Sequence, residues 1–202
     1  MRESPSAFAG LTEHLLFLRA MLRNPRSVGA IAPSSRYLAR RMVMEIGGAE
    51  QIIELGPGTG AFTREIVSRL GPGGRVLAVE TNRSFVERLQ RAWPQIDCVC
   101  ASAETLPALA AARGMSGVEH IISGLPFASL PTETTRRILD GVHETLRVGG
   151  TFTTFQYVHA YRMPAAAAFR RELSARLGSA PHSALVVRNI PPALVLTWRR
   201  LT

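Results

Sequence analysis

One stretch limits what this chain can fold into more than any other: Gln51-Ile52-Ile53-Glu54-Leu55-Gly56-Pro57-Gly58-Thr59-Gly60-Ala61-Phe62-Thr63. An apolar run ends in three glycines and reopens as an amphipathic pattern. That is a buried strand, a tight turn and the start of a helix. Glycines at 56, 58 and 60 leave no Cβ in the turn, so a bulky ligand can lie directly on the peptide groups. Glu54 is the only charge in the strand and stands near its carboxyl end, where open α/β sheets bind ligands.

The rest of the chain repeats the alternation. Strands are predicted at 51–55, 75–79, 96–100, 118–123 and 151–157, with helices at 59–70, 82–93, 104–112, 132–146 and 163–177 between and after them. Two further strands, 184–190 and 193–199, flank Pro191-Pro192 and predict a closing hairpin. The expected fold is α/β: a seven-stranded, mostly parallel sheet covered on both faces, with its last strand antiparallel. Ahead of it, Ser34 or Ser35 caps a helix running to about Ile46. Before that, Phe8, Leu11, Leu15, Leu18 and Leu22 form one stripe of a helix over 6–23, widened by Leu16, Phe17 and Met21. Two readings of this helix compete: packing on the core, or lying in a membrane surface with Arg19, Arg23 and Arg26 meeting lipid phosphates.

Charge narrows the partners. Twenty-four basic residues, all arginine, stand against 15 acidic ones, a formal +9 that favours polyanions, either nucleic acid or an anionic membrane. No run of roughly 18 uncharged apolar residues suggests a membrane-spanning helix, and no cleavage pattern suggests a signal peptide. Cys98 and Cys100 share one face of a strand and are expected to be small buried hydrophobes in a reducing compartment. Two thiols alone make a poor metal site, and no metal is expected.

The glycine turn also fits a relaxed dinucleotide fingerprint, Gly56-x-Gly58-x-x-Ala61. Glu80 ends the second strand, where a carboxylate accepts ribose hydroxyls; NAD and S-adenosylmethionine fit this equally. Glu54 favours the second. A carboxylate there repels a pyrophosphate and suits a cationic amino-acid end.

Glu54-Leu55-Gly56-Pro57-Gly58-Thr59-Gly60 resembles the first motif of the class I S-adenosylmethionine-dependent methyltransferases, a Rossmann-like family. The resemblance implies that Glu80, with Thr81 beside it, meets the ribose. Ser102, Ala103 and Glu104 stand where the family contacts adenine, although Ser102 replaces the usual aspartate. Ser123-Gly124-Leu125-Pro126-Phe127 occupies the motif beside the transferred methyl, so Ser123 joins both the cofactor and the catalytic sets.

Two subfamilies are close. Ribosomal RNA adenine dimethylases share the turn and Leu125-Pro126-Phe127, but their motif begins with asparagine where this chain has Ser123 or Gly124. Bacterial phospholipid N-methyltransferases match further, at Asn24-Pro25 and at Gly29-Ala30-Ile31-Ala32-Pro33-Ser34-Ser35, which brings Ser34 and Ser35 into the cofactor set. This resemblance implies an N-terminal helical extension, residues 1–47, facing membrane and substrate, and a methyltransferase domain, 48–202. It implies up to three methylations of phosphatidylethanolamine, giving phosphatidylcholine, by a peripheral protein on the cytoplasmic membrane face. No nucleic-acid partner is expected.

The acceptor amine must lose a proton, and Tyr157 or His159, just past the fifth strand, can take it, as can water. Phe127, Tyr37 and Tyr157 are candidates for an aromatic wall against the methylated headgroup. Arg162, Arg26 and Arg36 are candidates for its phosphate. An RNA adenine methyltransferase and a non-catalytic cofactor-binding membrane adaptor are the competing readings.

Overall fold

A run of four residues buried on both sides, Ile52-Ile53-Glu54-Leu55, can only be the middle of a covered parallel sheet, and that is where it lies. The computed structural model describes residues 34–48 and 51–202. The expected helix over 6–23, the segment up to residue 33 and Arg26 lie outside these residues.

The chain runs α1 (Arg36–Met42), β1 (Gln51–Leu55), α2 (Ala61–Val67), β2 (Arg75–Glu80), α3 (Arg83–Ala92) and β3 (Asp97–Cys100). A short 3₁₀ turn (Ala103–Thr105) leads into α4 (Leu106–Ala111). Then follow β4 (Val118–Ser123), α5 (Thr132–Thr145), β5 (Leu146–Tyr157), α6 (Pro164–Leu177), β6 (His182–Val186) and β7 (Ala193–Arg199). The sheet order is β3-β2-β1-β4-β5-β7-β6. β1 to β5 are parallel, and β7 is antiparallel to both β5 and β6.

Period-two alternation sorts the strand side chains between two cores. Ile53, Leu55, Leu77 and Val79 face one side with Leu139, Phe169 and Leu173 from α5 and α6. Ile52, Val76 and Ala78 face the other with Leu38 and Met42 from α1, Phe62 from α2 and Leu89 from α3. The helix expected within the N-terminal extension, α1, therefore shares its core with the sheet. It ends at Met42, short of Ile46, in a turn over 43–45.

The sequence places most elements within a few residues, and the differences have local causes. β5 begins at Leu146, not 151, because Leu146 pairs with Val118 ahead of a register shift. β6 ends at Val186, not 190: Asn189 turns inward, 3% exposed, and residues 187–192 become the hairpin tip. Cys98 is buried as expected, and burial pushes its thiol pKa up to about 12. Cys100 departs from expectation: it ends the edge strand exposed, its thiol 3.5 Å from the Thr81 carbonyl oxygen. No described helix is long and apolar enough to cross a membrane.

Candidate active site

The register aligns the carboxyl ends of three strands. Leu55 lies opposite Val79 on one side and Ser123 on the other. The Gly56 N–H donates to the Val79 carbonyl (2.9 Å) and the Gly124 N–H to the Leu55 carbonyl (2.8 Å), so the glycine turn is held between β2 and β4. Gly56, Gly58 and Gly60 all adopt positive φ. At Gly58 (φ +53°) an added Cβ would meet nothing within 4 Å; the turn is open there, and the left-handed backbone is what asks for glycine.

Two carboxylates frame the turn. Glu80 is 8% exposed. One of its oxygens accepts from the Gly58 N–H (3.0 Å); the other accepts from the Asn82 N–H (2.9 Å) and the Thr81 hydroxyl (3.4 Å). Thr81 thus orients the carboxylate. Glu54 is fully buried. Its Oε2 accepts from the Thr63 hydroxyl at 2.6 Å, whereas Oε1 has no hydrogen-bond partner. Burial, opposed by the Thr63 hydrogen bond and reinforced by the Glu80 charge, raises the Glu54 pKa to about 7. An orphaned buried carboxylate oxygen is costly unless a donor or cation completes it. The chemistry of this donor set fits a ligand with a ribose and an ammonium group and no phosphate beside Glu54.

The third strand end contributes a shaped turn. Ser123 is fully buried; its hydroxyl accepts from the Leu125 N–H (3.3 Å), and its carbonyl accepts from the Thr154 hydroxyl (3.0 Å). The Ser123 hydroxyl thus helps to shape its own turn as an acceptor and keeps its O–H proton available to donate. A Cβ on Gly124 would stand 2.7 Å from the Gly56 carbonyl oxygen, a backbone atom that cannot swing aside. This position therefore needs glycine; of the two places where the adenine dimethylases' asparagine would fall, 123 and 124, the second has no room for it.

The remaining candidates separate. Ser102 caps the 3₁₀ turn by accepting from the Glu104 N–H (3.2 Å) and donates to the Glu104 carboxylate (3.3 Å), which also pairs with Arg137 (3.5 Å). Ala103 is buried between them. Ser35 is the α1 cap, its hydroxyl accepting from the Leu38 N–H (3.2 Å); Ser34 is half-buried just before it. Phe127 does not form an outer wall. It is 6% exposed and stacks on Phe169 in the core, ring centroids 4.4 Å apart.

Tyr157 ends β5 half-buried, with its ring 5.5 Å from Phe155 and stacked 5.7 Å from exposed His159. Burial raises the Tyr157 pKa above its ordinary value, so the phenol keeps its proton near neutral pH and is a poor base. Phe155 was not singled out from sequence. It bridges Phe62, at the start of α2, to Tyr157, with the Phe62 centroid 6.0 Å away. Its period-two spacing from Tyr157 within one strand was the available signal. Tyr37 stands at the start of α1 with the guanidinium carbons of Arg36 and Arg188 at 5.0 and 5.1 Å from its ring centroid. Arg162 is exposed in the segment before α6.

A seven-stranded sheet in this order, a glycine turn after β1 and an acid ending β2 define a class I methyltransferase. Comparison with known proteins agrees. Residues 52–150 match the methyltransferase domain family. The ornithine lipid N-methyltransferase of Singulisphaera acidiphila is 31% identical over 147 residues, covering 70% of this chain and 77% of that protein. Ribosomal RNA small subunit methyltransferase A of Phenylobacterium zucineum is 34% identical over 96 residues, 46% of this chain but 31% of that protein. In fold, the chain is similar to the Burkholderia thailandensis 1,6-didemethyltoxoflavin-N1-methyltransferase, solved with S-adenosylhomocysteine. That match has a TM-score of 0.71 and 18% identity, and covers 100% of this chain and 94% of that one. The chain belongs to the S-adenosylmethionine-dependent methyltransferases.

Proposed function

We propose that this methyltransferase transfers the methyl group to the amine of a membrane-lipid headgroup, with phosphatidylethanolamine as the acceptor and up to three successive transfers. The cofactor supplies a methyl carbon already activated by its sulfonium. Glu80 would receive the ribose hydroxyls on the carboxylate that Thr81 and the Gly58 N–H hold in place. The free Oε1 of Glu54 would receive the α-ammonium. The turn at Ser123 and Gly124 would present the acceptor amine, and the enzyme's task is chiefly alignment.

The observation that carries the lipid reading is coverage. Similarity to a lipid N-methyltransferase extends over 77% of that protein, against 31% for the first ribosomal RNA enzyme. The crowding at Gly124, which excludes the adenine dimethylases' asparagine at that one of its two candidate positions, supports it. A half-exposed ring at Tyr157, backed by Phe155, suits a headgroup that becomes a larger, softer cation with each methyl, at about 0.5–2 kcal/mol of cation–π attraction. With the phenol held protonated, His159 or water is left to take the amine's proton. The same relative favours a second acceptor, ornithine lipid, which also offers an alkyl amine.

The test is methyl transfer to vesicles containing either lipid, with mono-, di- and trimethylated products separated by chromatography. Phosphatidylethanolamine should yield methylated products, and Glu80→Ala should yield none at wild-type cofactor concentration. Transfer confined to ornithine lipid would replace the acceptor. No transfer to either lipid, with cofactor binding intact, would end the lipid reading.

A further inference from the structure

Two adjoining segments at the carboxyl edge of the sheet carry apolar side chains that face water. Of the eight large apolar residues exposed among the described ones, five lie here: Val158, Met163, Leu185, Val187 and Ile190. Ile190 is 82% exposed and Val187 64%. The segments meet where the Val158 N–H donates to the Pro192 carbonyl (2.9 Å), beside the pairing of Tyr157 with Ala193.

The tip is built to hold these side chains outward. Asn189, between them, is buried; its amide oxygen accepts from the Ser35 N–H (3.0 Å) and its amide nitrogen donates to the Pro191 carbonyl (2.7 Å). Such anchoring fixes Val187 and Ile190 before any partner arrives and lowers the entropy cost of docking. Two arginines stand with them. Arg188 sits in the tip, and Arg36 joins it across the Tyr37 ring. From Thr145 to Thr202 the only acidic residue is Glu172.

An apolar tip flanked by two arginines is the composition of an interfacial element on anionic lipid. A second copy of the chain is disfavoured as the occupant, because a symmetric pairing would set arginine against arginine. We propose that the β6–β7 tip docks on an anionic bilayer, with Val187 and Ile190 entering the headgroup boundary and Arg188 and Arg36 meeting lipid phosphates. This rests on the lipid reading above and extends it. The tip adjoins Tyr157, so docking there brings headgroups to the acceptor side of the site.

The test is flotation of the full chain with vesicles of phosphatidylcholine and phosphatidylglycerol (7:3) and with phosphatidylcholine alone. Val187→Ser/Ile190→Ser should weaken partitioning to the mixed vesicles at least tenfold. Arg188→Gln should weaken it roughly threefold on mixed vesicles and leave neutral ones unchanged. S-adenosylhomocysteine binding by calorimetry should be unaltered in both; if the double variant loses it, Ile190→Ser and Arg188→Gln carry the test by the same criteria. Wild-type partitioning in variants that bind cofactor would overturn the proposal. So would a wild-type dimer that the double variant converts to monomer without loss of vesicle binding. Lipid methylation in detergent micelles separates this from the acceptor reading. The double variant should keep micellar activity and lose vesicle activity, whereas a wild type inactive in both formats yet bound to vesicles would contradict the acceptor and not the tip.

Discussion

At the ends of β1 and β2 the site consists of main chain and two carboxylates, buried and hydrogen-bonded into place. At the end of β5, the proposed acceptor half consists of rings and apolar side chains that reach solvent. The donor half binds one unvarying molecule, so backbone N–H groups, left-handed glycines and fixed carboxylates suffice. Each of its parts is over-determined: Glu80 holds the turn through Gly58, and Gly124 is locked against Gly56. On the proposed lipid reading, the acceptor half has to admit a headgroup carried by a membrane. A half-open wall at Tyr157 and an exposed tip suit that, and they impose few constraints on one another.

The contrast can be attacked from the core outward. Phe127→Ala should be the costliest change, about 3–5 kcal/mol of unfolding free energy by denaturant titration, because its ring stacks on Phe169 in the core. A folded, equally stable variant with altered lipid selectivity would move Phe127 to the acceptor half. Gly124→Asn forces a side chain against the Gly56 carbonyl. It should cost roughly 1–3 kcal/mol of stability and about a hundredfold in turnover. Full activity, or a gain of activity on adenine, would show that the turn is not locked.

Glu54→Gln should weaken cofactor affinity roughly ten- to a hundredfold by calorimetry, the size of a lost charge-assisted contact. The sign of its pH effect is distinctive. The folded pKa near 7 lies above the ordinary carboxylate value, so the ligand-free fold is favoured most below pH 4.5 and loses up to about 3 kcal/mol as pH rises towards 7 and beyond. Glu54→Gln should abolish that loss and leave the ligand-free protein more stable at pH 8. In wild type, binding an ammonium group to Glu54 should release a proton below pH 7, so cofactor affinity should rise with pH through that range. The smallest effect belongs to the acceptor wall. Tyr157→Phe keeps the ring, and because the phenol is held protonated, turnover should stay within about threefold; Tyr157→Ala should cost about tenfold. A large loss in Tyr157→Phe would restore a chemical role to the hydroxyl.

The donor half was legible in the sequence because its chemistry is written in backbone geometry. Glycines at fixed spacing after an apolar strand, a lone carboxylate within it and another ending the next strand leave few alternatives. Helix and strand periods likewise placed β1, β4 and α5 within a residue. The acceptor half was not legible to the same degree. Phe127 and Tyr157 are both aromatic residues near strand ends, and only packing shows that one turns into the core and the other to the rim. Ser123 stands out in its motif, but only the structure shows that its hydroxyl also accepts from the Leu125 N–H. Strand β6 looked longer than it is because Val186-Val187 and Ile190 read as strand, whereas buried Asn189 makes them a tip. Pattern reports which residues are apolar; it does not report which of them the fold leaves facing water.

The lipid acceptor is tested most directly by one competition. Methyl-labelled S-adenosylmethionine is offered to the full chain with phosphatidylethanolamine vesicles and naked ribosomal RNA in the same tube. Label should pass to the lipid fraction and leave the RNA unlabelled. Label in the RNA with none in the lipid would contradict the account.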